Sequence, residues 1–140
     1  MADTLQFELV SPERLVLSEP VEMVVVPGAE GDFGAMPMHA PVISAVRPGV
    51  IDVYKGGKVA SRIFVAGGFA EVTAERCTVV AEEAWPVADL DAATVAGRLE
   101  AAEKAQAAAD SDFAREQAKL ALAVAEAMRQ AIDAKPAAAH

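Results

Sequence analysis

The sequence predicts a β + α protein: an N-terminal antiparallel β-sandwich or barrel over residues 1–86, then a C-terminal antiparallel two-helix hairpin over residues 87–140. Three observations carry this reading. Short apolar runs with a period of two recur through the first part, each ended by a proline, a glycine or a charge. Eight of the nine glycines and seven of the eight prolines lie before residue 87. After it, 21 of 54 positions are alanine and one is glycine. That shift marks a boundary, and Pro86 in "AWPVADLD" punctuates it.

The first run, "TLQFELV", puts Leu5, Phe7 and Leu9 on one side and Gln6 and Glu8 on the other. "RLVLSEP", "VEMVVVP", "APVISAVRP" and "VIDVYK" follow as further strands. In "YKGGKV", Gly56-Gly57 stand between two strands. A two-residue hairpin turn needs positive φ at both central positions, which glycine supplies. "RIFVAGGFAEVTAERCTVVAEE" has room for about three more strands. Cys77 opens the last of them and reads as a small packing residue. "PGAEGDFGAMPMHAPVI", residues 27–43, reads as a turn-rich excursion at one end of the sandwich. It carries Glu30, Asp32 and His39 on a loop that a rigid scaffold can present to a partner.

In the second part, Leu90, Val95 and Leu99, with Ala92, Ala96, Ala102 and Ala105 around them, form the narrow apolar face of a first helix. Asp89 or Asp91 caps its start, the carboxylate accepting from free backbone N–H groups. "ADSD" (109–112) breaks the pattern, and Asp110 or Ser111 caps a second helix. Its apolar positions, Phe113, Leu120, Leu122, Val124, Met128 and Ile132, run to about residue 133. The short connection makes the helices antiparallel neighbours. "KPAAAH" reads as a frayed end. Facing alanines bury little area per residue, so the hairpin is expected to be weakly held and able to detach.

Bulk properties exclude several classes. Hydrophobic residues make up 54% of the chain, enough for a buried core. A formal net charge of −9 argues against nucleic acid and against an anionic membrane surface. A single cysteine permits no intrachain disulfide and fits a reducing compartment. "MADTLQFELV" shows no secretory pattern, and no apolar run is long enough for a membrane span, so a soluble chain is expected.

Catalysis finds little to work with. A nucleophile–base pair needs a histidine, and the sequence holds only His39 and His140. One cysteine and one internal histidine do not make a zinc site. Gly28, Gly31 and Gly34 recur as G-x-x-G-x-x-G, whereas the dinucleotide fingerprint needs G-x-G-x-x-G between a strand and a helix. Pro37 and Pro41 prevent that helix, and no Gly-Lys-Ser/Thr follows. No metal or nucleotide cofactor is expected; paired carboxylates for acid–base work stay open, since acids are plentiful, although most read as a solvated surface.

Three segments carry a resemblance. They are "PGAEGDFGAMPMHAPVI", with its His-Ala-Pro ending, "VAGGFAEV" (65–72), and "DLDAATVAGRLEAAEKAQ" at the start of the hairpin. In their order and spacing the chain resembles the epsilon-subunit family of the bacterial rotary ATP synthase, called delta in mitochondria, over nearly its whole length. The resemblance implies a sandwich of about ten strands followed by the hairpin. It implies a non-catalytic rotor part of the central stalk of a proton-driven (or sodium-driven) enzyme, bound to the gamma subunit and seated on the c-ring. Its place is then peripheral, on the cytoplasmic face of a bacterial inner or intracytoplasmic membrane.

By the same resemblance, Glu30, Asp32 and His39 lie on the loop that faces the c-ring. In many relatives the hairpin moves between a compact state and an extended one that reaches the alpha/beta catalytic head and inhibits ATP hydrolysis, and the resemblance implies the same movement here. Arg115, Lys119 and Arg129 then meet an acidic segment of the beta subunit; equally, they serve helix solubility, pairing with Asp112 and Glu116. Relatives that bind ATP carry Ile/Leu-Asp-x-x-Arg-Ala at the hairpin's start. Here Leu90-Asp91-Ala92-Ala93-Thr94-Val95 keeps Asp91 but replaces the arginine with Thr94, removing a guanidinium that would fork onto a phosphate. Two rival readings are a stand-alone adaptor or chaperone-like interaction module, and a small phosphate-processing enzyme using the glycine loop.

Overall fold

The computed structural model describes residues 3–12 and 14–134; the expected frayed tail "KPAAAH" and His140 lie outside the described residues. Ten strands precede two helices. The strands are β1 (Leu5–Ser11), β2 (Arg14–Val21), β3 (Met23–Gly28), β4 (Gly31–Ala35), β5 (Val42–Val46), β6 (Gly49–Lys55), β7 (Lys58–Val65), β8 (Gly68–Val72), β9 (Arg76–Ala81) and β10 (Ala84–Pro86). They form one hydrogen-bonded array in the order β10-β7-β6-β3-β5-β8-β9-β1-β2, with β4 on β3. A single 3-10 turn, Val87–Asp89, leads into α1 (Ala92–Ala108) and α2 (Asp112–Asp133).

The period-two reading places the core. Leu5, Phe7 and Leu9 of β1 are sealed, as are Val24 and Val26 of β3, Ile51 and Val53 of β6, and Val79 of β9. These side chains meet in one cluster between the two layers. Cys77 belongs to that cluster, and burial pushes its thiol up to about 12, so it packs rather than reacts. β3 joins the layers: Met23–Val25 pair with β6, while Gly28 pairs with Val46 of β5.

One pairing departs from the antiparallel expectation. β1 runs parallel to β9, from Gln6 opposite Arg76 to Val10 opposite Val80. Side chains alternate in either orientation, so the alternation in the sequence is blind to it. Two of the three prolines in described strands obey edge rules; the third, Pro27, lies in the inner strand β3. Pro20 lies in β2 and Pro86 in β10, the two ends of the array, where a missing N–H breaks no ladder.

Glycine is required at several places, of which two bear on the strand pairing. Gly56 and Gly57 take φ of 63° and 77°, the turn expected between β6 and β7. At Gly68 a Cβ would stand 1.9 Å from the Val80 carbonyl oxygen, so no side chain fits where β8 crosses β9.

Both helix caps resolve to one residue. The Asp91 side chain accepts from the Thr94 N–H, and Ser111 accepts from the Ala114 N–H. The buried faces are narrower than expected. On α1 only Val95 and Ala102 are buried, while Ala92, Ala96 and Ala105 are exposed. On α2 the buried residues are Ala118, Ala125, Met128 and Ala131, whereas Phe113 and Leu120 are 74% and 54% exposed. Small side chains form the seam because they let the two backbones approach. The large ones of the first half of α2 do not fit there.

The hairpin lies against the sandwich through a second, smaller cluster. Phe64 and Ala66 on the sandwich side meet Val95, Met128 and Ala131 of the helices. Val50, Val87, Leu90, Val124 and Ile132 pack around them.

Candidate functional site

The expected turn-rich excursion is in large part a hairpin. β3 and β4 pair from Val24 opposite Ala35 to Gly28 opposite Gly31, leaving Ala29 and Glu30 at the tip. Glu30 is exposed there. Asp32 sits one residue inside β4 and is engaged: Arg47 Nη2 donates to its Oδ1 at 2.5 Å, and Arg47 Nη1 donates to the Gly28 carbonyl oxygen at 2.5 Å. The sequence reading missed Arg47, which lies 15 residues away and carries no local signal. The free carboxylate of the tip is Glu30; Asp32 belongs to a clamp that holds the two strands just below the tip.

His39 follows in a tight turn. Its N–H donates to the Met36 carbonyl oxygen at 3.1 Å, with Pro37 second and Met38 third at φ 70°. Proline at the second position and positive φ at the third define a type II turn, in which glycine is the usual third residue. Met38 therefore occupies a costly conformation. A hydrogen bond from its N–H to the Ala74 carbonyl oxygen, 2.7 Å, ties the turn to the β8–β9 connection. The His39 ring is half-buried, with Nδ1 2.6 Å from the Ala40 carbonyl oxygen.

The sandwich also presents an apolar stripe. Ile43 of β5, Phe69 of β8 and Val80 of β9 are 73%, 63% and 51% exposed. Phe69 pairs directly with Val80, and Ile43 pairs with Glu71, two residues along β8, so all three share one face. The sequence held the signal: with Ala70 and Val72 inward, Phe69 has to point outward.

On α2, Arg115, Lys119 and Arg129 fall within about 80° of one another around the axis, at 3.6 residues per turn. All three are exposed. Arg115 pairs with Asp112 at 2.7 Å, as the solubility reading expects. Arg129 borders a groove of about 190 Å³ between the helices, beside Glu100, Glu103 and Asp133. Phe113 and Leu120 add exposed apolar surface to the same helix.

Asp91 is occupied by its own helix. Its Oδ2 accepts from the Thr94 hydroxyl at 2.8 Å and from the Thr94 N–H at 2.9 Å. These bonds, the hydroxyl's first, hold its carboxyl below the usual aspartate range. Thr94 thus completes a cap where the resemblance looks for a phosphate-binding arginine. Among the described residues no group of His, Cys, Asp and Glu is arranged to hold a metal ion. No described helix is long and apolar enough to cross a membrane.

The fold and its exposed features define a class: a ten-stranded β-sandwich with an appended helical hairpin, presenting an acidic tip, an apolar stripe and a basic helix face. The family of the ATP synthase delta/epsilon chain, β-sandwich domain, matches residues 4–87. The ATP synthase epsilon chain of Rhodospirillum rubrum is 62% identical over 128 residues, covering 91% of this chain and 96% of that one. The epsilon chain of Paramagnetospirillum magneticum is 58% identical over 132 residues, covering 94% and 99%. A chain in the cryo-EM structure of the Euglena gracilis mitochondrial ATP synthase, comprising OSCP, F1 and c-ring, superposes with a TM-score of 0.81 at 27% identity, covering 94% of this chain and 83% of that one. The chain belongs to the ATP synthase delta/epsilon family.

Proposed function

We propose that the chain is a non-catalytic rotor part of the central stalk of a proton-translocating ATP synthase, joining the gamma subunit to the c-ring. The observation that carries this reading is full-length likeness. Sandwich and hairpin together match two ATP synthase epsilon chains at 62% and 58% identity, and the fold matches a chain of an F1/c-ring assembly. The surface supports it. A stripe of Ile43, Phe69 and Val80 suits burial against an apolar partner, for which gamma is the proposed occupant. The β3–β4 tip, with Glu30 free and His39 in the turn beyond, suits the polar loops of a c-ring. Rotation then passes from ring to gamma through a rigid sandwich.

The basic face of α2 is the proposed contact with the alpha/beta head when the hairpin extends. The chain sits peripherally, on the cytoplasmic face of the bacterial inner or intracytoplasmic membrane. Purification of the ATP synthase from cells carrying a tagged copy tests the assignment. Gamma, alpha, beta and the c-ring are expected to co-purify with it. Recovery of the chain free of them overturns the assignment in favour of a stand-alone adaptor.

A further inference from the structure

The apolar patch that joins hairpin to sandwich is small: Phe64 and Ala66 meet Val95, Met128 and Ala131. A polar contact stands at its edge. Arg98 of α1 reaches the turn between β9 and β10, where Nη1 donates to Glu83 Oε1 at 2.6 Å and Nη2 donates to Oε2 at 3.2 Å. The Trp85 indole N–H also donates to Oε1, at 2.8 Å. Among the described residues this is the one ion pair that links a helix to the sandwich; the others lie within the sandwich or within one helix.

The acceptor is held ready. The Ala66 N–H donates to the Glu83 carbonyl oxygen at 2.9 Å, and the Glu82 N–H donates to the Gly67 carbonyl oxygen at 3.0 Å, so the turn is pinned to the β7–β8 connection. Trp85 then orients one carboxylate oxygen. A forked guanidinium on a preset carboxylate is strong and directional, unlike the methyl contacts beside it. Both side chains are partly exposed, at 39% and 32%, so water can replace the contact when the helix lifts.

We propose that Arg98 and Glu83 form a latch that sets whether the hairpin lies on the sandwich. Opening separates the two charges and frees Arg98 on the helix and Glu83 with Trp85 on the sandwich. The latch goes beyond the stalk assignment. It concerns conformations of the chain alone, so its test does not depend on the other subunits.

The test measures the distance between spin labels at Lys58→Cys, at the start of β7, and Lys119→Cys, on α2, in the isolated full-length chain. Cys77 is buried and needs no replacement. Arg98→Gln is expected to lower the ratio of docked to open chains roughly five- to tenfold. Arg98→Lys, which keeps the charge but loses the fork, is expected to lower it less. The exchange Glu83→Arg with Arg98→Glu is expected to restore docking, a recovery that mere loss of packing would not give. Circular dichroism confirms that the helices persist; if Arg98→Gln unfolds, Arg98→Lys and the exchange decide. An unchanged distance distribution in the Arg98 variants, or a loss that the exchange fails to recover, overturns the latch.

Discussion

Met128 of α2 and Phe64 of β7 share one sealed cluster, 1% and 0% exposed, where the hairpin meets the sandwich. They are the two largest fully buried side chains of that junction. Met128→Ala removes the helical member. Deletions of this kind in cores cost about 2–5 kcal/mol, and the shallow junction places the expected loss near the lower end. The docked fraction should fall while the sandwich core is unaffected. Hydrogen exchange is expected to show faster exchange at amides around Phe64 and Ala66, with β1 and β9 unchanged.

The sandwich is proposed to fold alone. Its main cluster, from Leu5 to Ala84, contains no helical residue. A fragment of residues 1–86 loses only the cover over Phe64 and Ala66. It is expected to give a β-type circular dichroism spectrum, dispersed proton NMR signals and retained binding to gamma. An unfolded fragment would refute the two-domain division.

At the tip, charge reversal of Glu30 and Asp32 together is expected to weaken coupling between proton flow and ATP synthesis, with hydrolysis by the detached head unchanged. The two acids act differently. Asp32→Asn breaks the Arg47 pair, but at 61% and 44% exposure that pair is worth about 1 kcal/mol or less. Glu30→Lys leaves the clamp intact and changes only the presented charge. ATP-driven proton pumping in membranes carrying the double reversal measures the effect; unaltered pumping rules out the assignment of this tip to the c-ring.

The hairpin is proposed to act as a modest brake without sensing nucleotide. Deleting residues 88–140 is expected to raise ATP hydrolysis by the assembled enzyme. Neutralising Arg115, Lys119 and Arg129 together should reproduce part of that rise. With Asp91 capping its helix and Thr94 in the arginine's place, calorimetry is expected to show ATP binding no tighter than millimolar, about −4 kcal/mol. Unchanged hydrolysis in both variants, or micromolar ATP binding, contradicts the respective half of this expectation.

Acid should open the latch. The Arg98 hydrogen bond is the main cause that holds the Glu83 carboxyl below its ordinary value of 4.5, with Trp85 assisting against partial burial. The docked state thus favours the ionised form. Its contribution is fully present above that ordinary value and is lost as pH falls through the lowered docked-state value. The label distance is expected to lengthen in that window in the native chain. In Glu83→Gln this step should be absent.

Much of the sandwich was legible in the sequence. Leu5, Phe7 and Leu9, the Gly56-Gly57 turn and the end of the strands at Pro86 are written in alternation and turn chemistry, which act over a few residues. β4 was not legible: Gly31-Asp32-Phe33-Gly34-Ala35 has two glycines and one large apolar residue, so it looks like loop. It becomes a strand because β3 offers a free edge. On α2, large residues were expected inside, but the helix buries Ala118 and Ala125 and exposes Phe113 and Leu120.

What the sequence determined by itself is therefore local: period, turn, cap and composition, together with the segments that mark the family. Tertiary structure alone decided which partners meet. It set β1 parallel to β9, placed Arg47 on Asp32, and brought Arg98 to Glu83 across the junction of helix and sandwich. These relations join residues 15 to about 70 positions apart. They depend on how whole layers pack, and no short window of residue types encodes that geometry.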